Sequence, residues 1–543
     1  MKKRITMKKN ILTILVCSFV LFGCADQLEI TPPNKITDEQ IMQLLESGNS
    51  ESIKIVLGSM ANELPLLFKS SGIQGQGSAD GRYYTCQGLD VMRNLLGNDI
   101  VFGTKATTNA FGADEYNFRN FTASSVDKNI PYWYYAWKCI FTANKLLNYI
   151  TDDQLVNSND NLKDYKARAL VVRAFAYNYL MENYQDAYLQ GGKDKLGIML
   201  YDKYSPTQEL KPRSTSKETY DFIKKDLSEA ISLFKAAKIE YTQSTTDIDL
   251  GVANFILARV ALWTGDWATV ISSCNDILAQ YPVLMDQKMY GGKNTGDSKN
   301  PVFLPETNGF LNNTINPEVL LGWPVGEALT AHNAWMNPFG TSYGGAAGEY
   351  QRIDNRLYEK IDDNDYRKDV FLKTDFGSYH YPPNNVEGYI PAYTSMKFAA
   401  THGIGSPVTD RTKVGTVTDY YMRTSEVLLM KAEALAQSNK EAEAKETLNV
   451  LLKARTKEGT PSLTCDNYPS MQGLSVLQMV QLQTRIELWG EGGREFYNNK
   501  RWNIPVDRSS SSNHLNKLTY PVKDMTLQIP DDEIFYNPLC EQN

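Results

Sequence analysis

Histidine is scarce in this chain. Only His332, His380, His402 and His514 occur in 543 residues, too far apart in sequence to suggest a His-rich metal site. Cysteine offers no framework either. Cys17 and Cys24 aside, five remain (Cys86, Cys139, Cys274, Cys465 and Cys540), an odd number at wide spacing with no CxxC pair. They read as small core residues. Basic charge is not in surplus: 56 Lys and Arg face 63 Asp and Glu, and five of the basic residues fall in the first 23 positions, which hold no acid. The body beyond them is acidic, so nucleic acid is disfavoured as a partner. What is present is apolar and aromatic material, 42% and 11% of the chain. That is enough for a large core, and it excludes global disorder.

Lys2, Lys3, Arg4, Lys8 and Lys9 precede an apolar stretch from Ile11 to Phe22. Such a stretch spans about 18 Å as a helix, short of the ~30 Å hydrocarbon core, and reads as an export signal. Leu21-Phe22-Gly23-Cys24 closes it in the manner of a bacterial lipobox, with Phe22 bulkier than usual. Cys24 is then the lipidated first residue of the mature protein, since several acyl chains are needed for firm anchoring. This divides the chain into a signal peptide (1–23), a polar tether with a Pro-Pro stop (24–34) and a body (35–543) expected to be a single domain.

The body is expected to be mostly α. Tyr132–Ile150, Tyr165–Tyr184 and Thr219–Phe234 carry apolar residues at three- and four-residue intervals, the last with Ser216 and Glu218 as a cap. Phe255–Pro282 falls in the register of a tetratricopeptide repeat of ~34 residues: Ala258 and Ala261, a Gly265-Asp266 turn, then Val270, Cys274 and Ile277. Leu428–Leu452 repeats it with Ala432, Leu435, Asn439, Ala444, Leu448 and Leu451. Roughly 170 residues separate the two copies, so this is not a simple solenoid. Two segments, about 71–121 and 285–420, are rich in Gly, Asn and aromatics with weak periodicity. Loops of such length are usually functional. The expected fold is a scaffold of tetratricopeptide-like helix pairs, with long loop-rich insertions carrying minor β structure and the ligand surface.

Catalytic motifs are weak. Gly340-Thr341-Ser342-Tyr343-Gly344 has the GxSxG form, but a Pro precedes it and glycines follow, where a nucleophile elbow needs strand and helix. Gly75-Gln76-Gly77 lacks the rest of a dinucleotide fingerprint. Asp362, Asp363 and Asp365 precede Arg367 and Lys368, which suits a solvated, salt-bridged turn better than a calcium loop. No cofactor and no metal are expected. The aromatics of the two loop regions point instead to sugar: Tyr83, Tyr84, Phe111, Tyr116, Trp323, Trp335 and Tyr343 offer flat faces for pyranose rings, with Arg82, Asn98 and Asp99 for orientation. Packing within the loops is the competing account for each of them.

Three separated segments then carry a resemblance. Tyr420–Gln437 (YYMRTSEVLLMKAEALAQ), Arg485–Trp502 (RIELWGEGGREFYNNKRW) and Ile529–Asn543 (IPDDEIFYNPLCEQN) are similar to signatures of the SusD/RagB family of outer-membrane nutrient-binding lipoproteins. In the second, Glu487, Glu491, Arg494, Arg501 and Trp502 match, while Asn498 stands where the family usually has Asp. The family signature occupies about 420–543. Glu487, Glu491 and Arg494 are spaced for one helical face and read as structural ion pairs. The resemblance implies a surface-exposed, lipid-anchored outer-membrane protein without enzymatic activity. It would capture oligosaccharides for a SusC-like TonB-dependent transporter barrel. A peptide ligand, a surface hydrolase using the Gly340-Ser342-Gly344 turn, and a scaffold without ligand are the alternatives.

Overall fold

A computed structural model describes residues 37–47, 50–69, 86–103, 113–119, 122–125, 129–150, 159–205, 207, 209–323, 336–339, 350–381, 386–403 and 419–543. The chain divides into two compact units, Met1–Val56 and Leu57–Asn543. In the first, helix α1 (Asp38–Glu46) begins at a capping box: Thr37 accepts from the Gln40 amide, and the Gln40 side chain accepts from the Thr37 amide.

The second unit is built on consecutive helices, among them the short α2 (Cys86–Asn94). The three expected periodic runs are α3 (Ile130–Tyr149), α4 (Asp160–Tyr184) and α5 (Ser216–Ala237). Pro131 sits in the first turn of α3, where its missing N–H costs nothing. The cap of α5 is Thr215, boxed with Glu218, and Ser216 is already helical. From Ala169 to Tyr184 every residue of α4 is buried. A helix covered on all sides is a core element, and α3 and α5 both pack on it.

Both repeat-like pairs form. α6 (Leu250–Thr264) ends at Gly265, whose φ of 76° suits glycine, and Asp266 caps α7 (Trp267–Gln280). α8 (Thr424–Gln437) and α9 (Glu441–Ala454) repeat the arrangement, with Asn439 at φ 59° in the turn. Ala258, Ala261, Ala432 and Ala444 are completely buried, because the paired helices approach too closely for a larger side chain. The two pairs stack directly, α7 on α8, so 281–423 is an excursion from a continuous array.

Among the described residues β structure is limited to four two-stranded antiparallel ribbons. β1 (Ile100–Phe102) pairs with β3 (Gln351–Ile353), Val101 opposite Arg352, and so joins the two loop-rich regions. β2 (Val319–Trp323), within the excursion, pairs with β6 (Asp419–Arg423) at its end. β4 (Phe376–Tyr381) and β5 (Val386–Ile390) form a hairpin, and β7 (Val506–Asp507) pairs with β8 (Thr519–Tyr520). The chain closes through α10 (Val476–Glu487), α11 (Arg494–Trp502) and α12 (Asp531–Tyr536). Cys139, Cys274, Cys465 and Cys540 are buried free thiols. Burial raises the pKa of Cys465 and Cys540 to about 11, so they are inert at neutral pH.

Candidate ligand-binding site

The signature residues meet in a buried ionic frame. The Glu487 carboxylate accepts from Arg423 at 2.7 Å, Arg455 at 2.9 and 3.1 Å, and Arg367 at 3.0 Å. Glu318 joins Arg423 at 2.8 Å and Arg455 at 2.7 Å. Glu491 takes Arg423 at 2.7 Å and also Lys397, and Asp365 takes Arg367. Four cations therefore face four carboxylates. Burial works against ionisation of Glu487, but Arg455, Arg423 and Arg367 outweigh it and hold its pKa well below the carboxylate range. Burial lowers Lys397 to about 8, opposed by Glu491.

The even spacing of Glu487, Glu491 and Arg494 does not place them on one helical face. α10 ends at Glu487, and Gly490, Gly492 and Gly493 turn the chain at φ 74°, 52° and 64° before α11 starts at Arg494. A Cβ on Gly493 would lie 2.4 Å from that of Arg93. Arg494 donates to the Gly492 carbonyl at 3.0 Å and stacks on Tyr497. Arg501 and Trp502 both reach Glu433 of α8, the indole at 2.9 Å. Asp363 pairs with exposed geometry to Lys368 at 2.7 Å, but Asp365 is buried in the frame, so only half of that acidic turn is solvated.

Against this frame the excursion forms a cleft of about 410 Å³. Tyr290, Phe303, Tyr366 and Phe376 line it, with Lys293, Asn294 and Asp369 among its polar groups. Tyr290, Phe303 and Tyr366 are buried and form its floor, while Phe376 is half-buried at its edge, and the floor is braced from behind. The Tyr366 hydroxyl donates to the Met285 carbonyl at 2.9 Å, the Tyr290 ring lies 5.2 Å from Tyr366, and the Arg455 guanidinium sits 4.9 Å from the Tyr290 centroid. Asn294 bridges to Phe303, which fixes the rim. Burial lowers the Lys293 pKa, and Asp369 is held by Lys457 at 2.7 Å. Rigid aromatic walls with a few polar groups are what a small-ligand cleft requires.

The residues singled out from sequence fall elsewhere. Arg82, Tyr83, Tyr84, Phe111, Trp335, Tyr343, the Gly340-Ser342-Gly344 turn and Cys24 lie outside the described residues. Trp323 is buried at the end of β2. Tyr116 is 3% exposed, its hydroxyl 2.5 Å from His514 and its ring under the Arg508 guanidinium. The Asn98 side chain spans the Pro505 carbonyl and the Asp507 amide, and Asp99 is paired with Arg485. As placed, Asn98, Asp99 and Tyr116 are fastened to the C-terminal segment inside the protein and do not face a ligand. Tyr290, Phe303, Tyr366 and Phe376 were not singled out. They sit in segments with no periodicity, and only their aromatic density within the excursion signals them.

Residues 283–542 match the model described as SusD family, and residues 92–261 match one described as "Starch-binding associating with outer membrane". A SusD-like protein of Formosa agariphila is 22% identical over 504 residues, covering 89% of this chain and 88% of its own. A SusD-like carbohydrate binding protein of Bacteroides vulgatus has the same fold at a TM-score of 0.64 and 20% identity, covering 90% of this chain and 96% of its own. A SusD superfamily protein of Bacteroides thetaiotaomicron gives 0.64 at 19% identity, over 90% and 98%. The two family models between them match residues 92–261 and 283–542, and the chain belongs to the SusD/RagB family.

Proposed function

We propose that this protein is a non-enzymatic, cell-surface carbohydrate-binding lipoprotein. Lipid on Cys24 anchors it to the outer membrane, and it passes captured oligosaccharide to a SusC-like TonB-dependent barrel. The observation that carries the reading is the aromatic cleft of about 410 Å³ held on a fully paired ionic frame. Its walls are preorganised, so little ordering entropy is lost on binding. Phe376, half-buried at the edge, offers an aromatic face to the C–H face of a sugar ring, and the Lys293 ammonium suits hydroxyls. The carbohydrate class is supported by the family model's description and by the carbohydrate-binding relative of Bacteroides vulgatus. Among the described residues no helix is long and apolar enough to cross a membrane, and the lipid anchor supplies the attachment in this reading. The remaining platforms are expected from Tyr83, Tyr84, Phe111, Trp335 and Tyr343, with Arg82 beside them.

Calorimetric titration against oligosaccharides and oligopeptides tests it. Oligosaccharide binding that Phe376→Ala weakens about tenfold, in a variant that remains folded, is the expected result. Heat from oligopeptides alone would replace sugar with peptide, and cleavage of the bound ligand would make the protein a hydrolase.

A further inference from the structure

A second cleft, of about 720 Å³, lies where the C-terminal segment closes against the stretch between α4 and α5. Its volume falls within the ~300–1,000 Å³ of small-ligand sites. Internal bonds fix its walls. Asp186 accepts from the Thr526 hydroxyl at 2.5 Å and from Lys195. Gln542 clamps Ile529, accepting from its amide and donating to its carbonyl, each at 2.8 Å. Asn543 donates to the Tyr184 carbonyl at 2.7 Å. Arg213 directs its nitrogens at the carbonyls of Gly197, Glu541 and Leu196, at 2.7, 2.9 and 3.0 Å.

Polar capacity is left over. The Lys523 ammonium, the Asp194 and Asp524 carboxylates and the Gln528 amide N–H₂ line the cleft without a hydrogen-bond or ion-pair partner among the described residues. The charges balance, with Lys195, Arg213 and Lys523 against Asp186, Asp194 and Asp524. A dedicated anion or cation site would not balance them. Leu196 and Tyr520 are the apolar side chains of a lining otherwise made of charged, amide and hydroxyl side chains, which suits neither a lipid nor the apolar pockets of a peptide groove. Tyr520 is stacked on Phe118 at 4.2 Å, which holds its ring rigid. A ligand dense in hydroxyls satisfies these conditions, since each hydroxyl both donates and accepts.

We propose that this cleft is a second saccharide site, separate from the one in the excursion, and that it takes a neutral oligosaccharide. The proposal rests on the reading of the protein as a carbohydrate binder, and the two are separable by experiment. Full-length protein in detergent is titrated with short neutral oligosaccharides and with oligopeptides. The forms compared are wild type, Lys523→Ala/Gln528→Ala and Phe376→Ala. Lys523 and Gln528 are exposed, so the double variant should keep its melting temperature; if it does not, Lys523→Gln alone replaces it. Two oligosaccharide-binding events are expected in the wild type. Lys523→Ala/Gln528→Ala should weaken one by about tenfold or more and leave the other, with Phe376→Ala doing the converse. A single event erased by Phe376→Ala and unmoved by the double variant sinks the second site and spares the proposed function. No oligosaccharide binding at all sinks both. An event at this cleft driven only by oligopeptides overturns the saccharide assignment.

Discussion

The Arg259 guanidinium lies fork to fork on the Glu426 carboxylate, at 2.7 and 2.8 Å, across 167 residues of sequence. It ties α6 of one helix pair to α8 of the next. Burial opposes ionisation of Glu426, and Arg259 more than offsets it. Arg259→Ala would strand a buried carboxylate and should cost about 3–5 kcal/mol. Arg259→Met with Glu426→Leu should recover most of that. Chemical denaturation of the three forms checks it; a double variant as unstable as the single one would count against this assignment.

Glu487 is the hub of the frame, and its removal should be worse. Glu487→Gln leaves three arginines short of a counter-charge, and no soluble folded protein is expected from it. Arg494→Ala is the gentler probe. Arg494 braces the glycine turn and the Tyr497 ring, so neutralising it should lower stability by about 1–3 kcal/mol without selective loss of ligand. Lost binding at an unchanged melting temperature would contradict the structural role.

Glu495 should govern part of the pH dependence. Burial chiefly, and then the Asp99 charge, raise its pKa from 4.5 to about 7, against Arg485 and the amides of Asn98 and Asp99. Between those values the folded chain keeps a proton that the unfolded chain has lost. Its contribution is therefore complete below pH 4.5 and disappears as pH rises through 7, on the order of 3 kcal/mol. Glu495→Gln should flatten the change in stability between pH 5 and 8. A difference between the two forms that stays constant over that range would rule this out.

In the proposed function Cys24 carries the lipid anchor. Cys24→Ala should abolish labelling by radioactive palmitate and shift the protein out of the membrane fraction, while ligand affinity in solution stays the same. Continued labelling would exclude acylation at this position.

The helix pairs were legible because they depend on local pattern. Ala258 and Ala432 mark where helices cross, and Gly265 and Asn439 mark the turns, all within one repeat length. Glu487, Glu491 and Arg494 misled because helical spacing was read through Gly490, Gly492 and Gly493, whose left-handed backbone ends the helix. Asn98 and Asp99 resembled ligand-orienting groups because their partners, Asp507 and Arg485, lie hundreds of residues away. Polar residues in an aperiodic segment look alike whether they await a ligand or a distant strand. The bracing of the cleft was hidden for the same reason: Tyr290 and Tyr366 gain their rigidity from Arg455, which sequence places in a different repeat.

Because α7 rests directly on α8, the array closes over the point where the 281–423 excursion departs and returns. The excursion is rooted in the trunk, since Tyr290, Phe310, Leu311 and Tyr366 share one core with Leu428, Leu448 and Trp489. Its rim can be lengthened, shortened or re-lettered by mutation at little cost to the stem, so long as these core residues, β2, β6 and the ionic frame are kept. Selection for new cargo would then act on one branch of the molecule while the rest stayed constant.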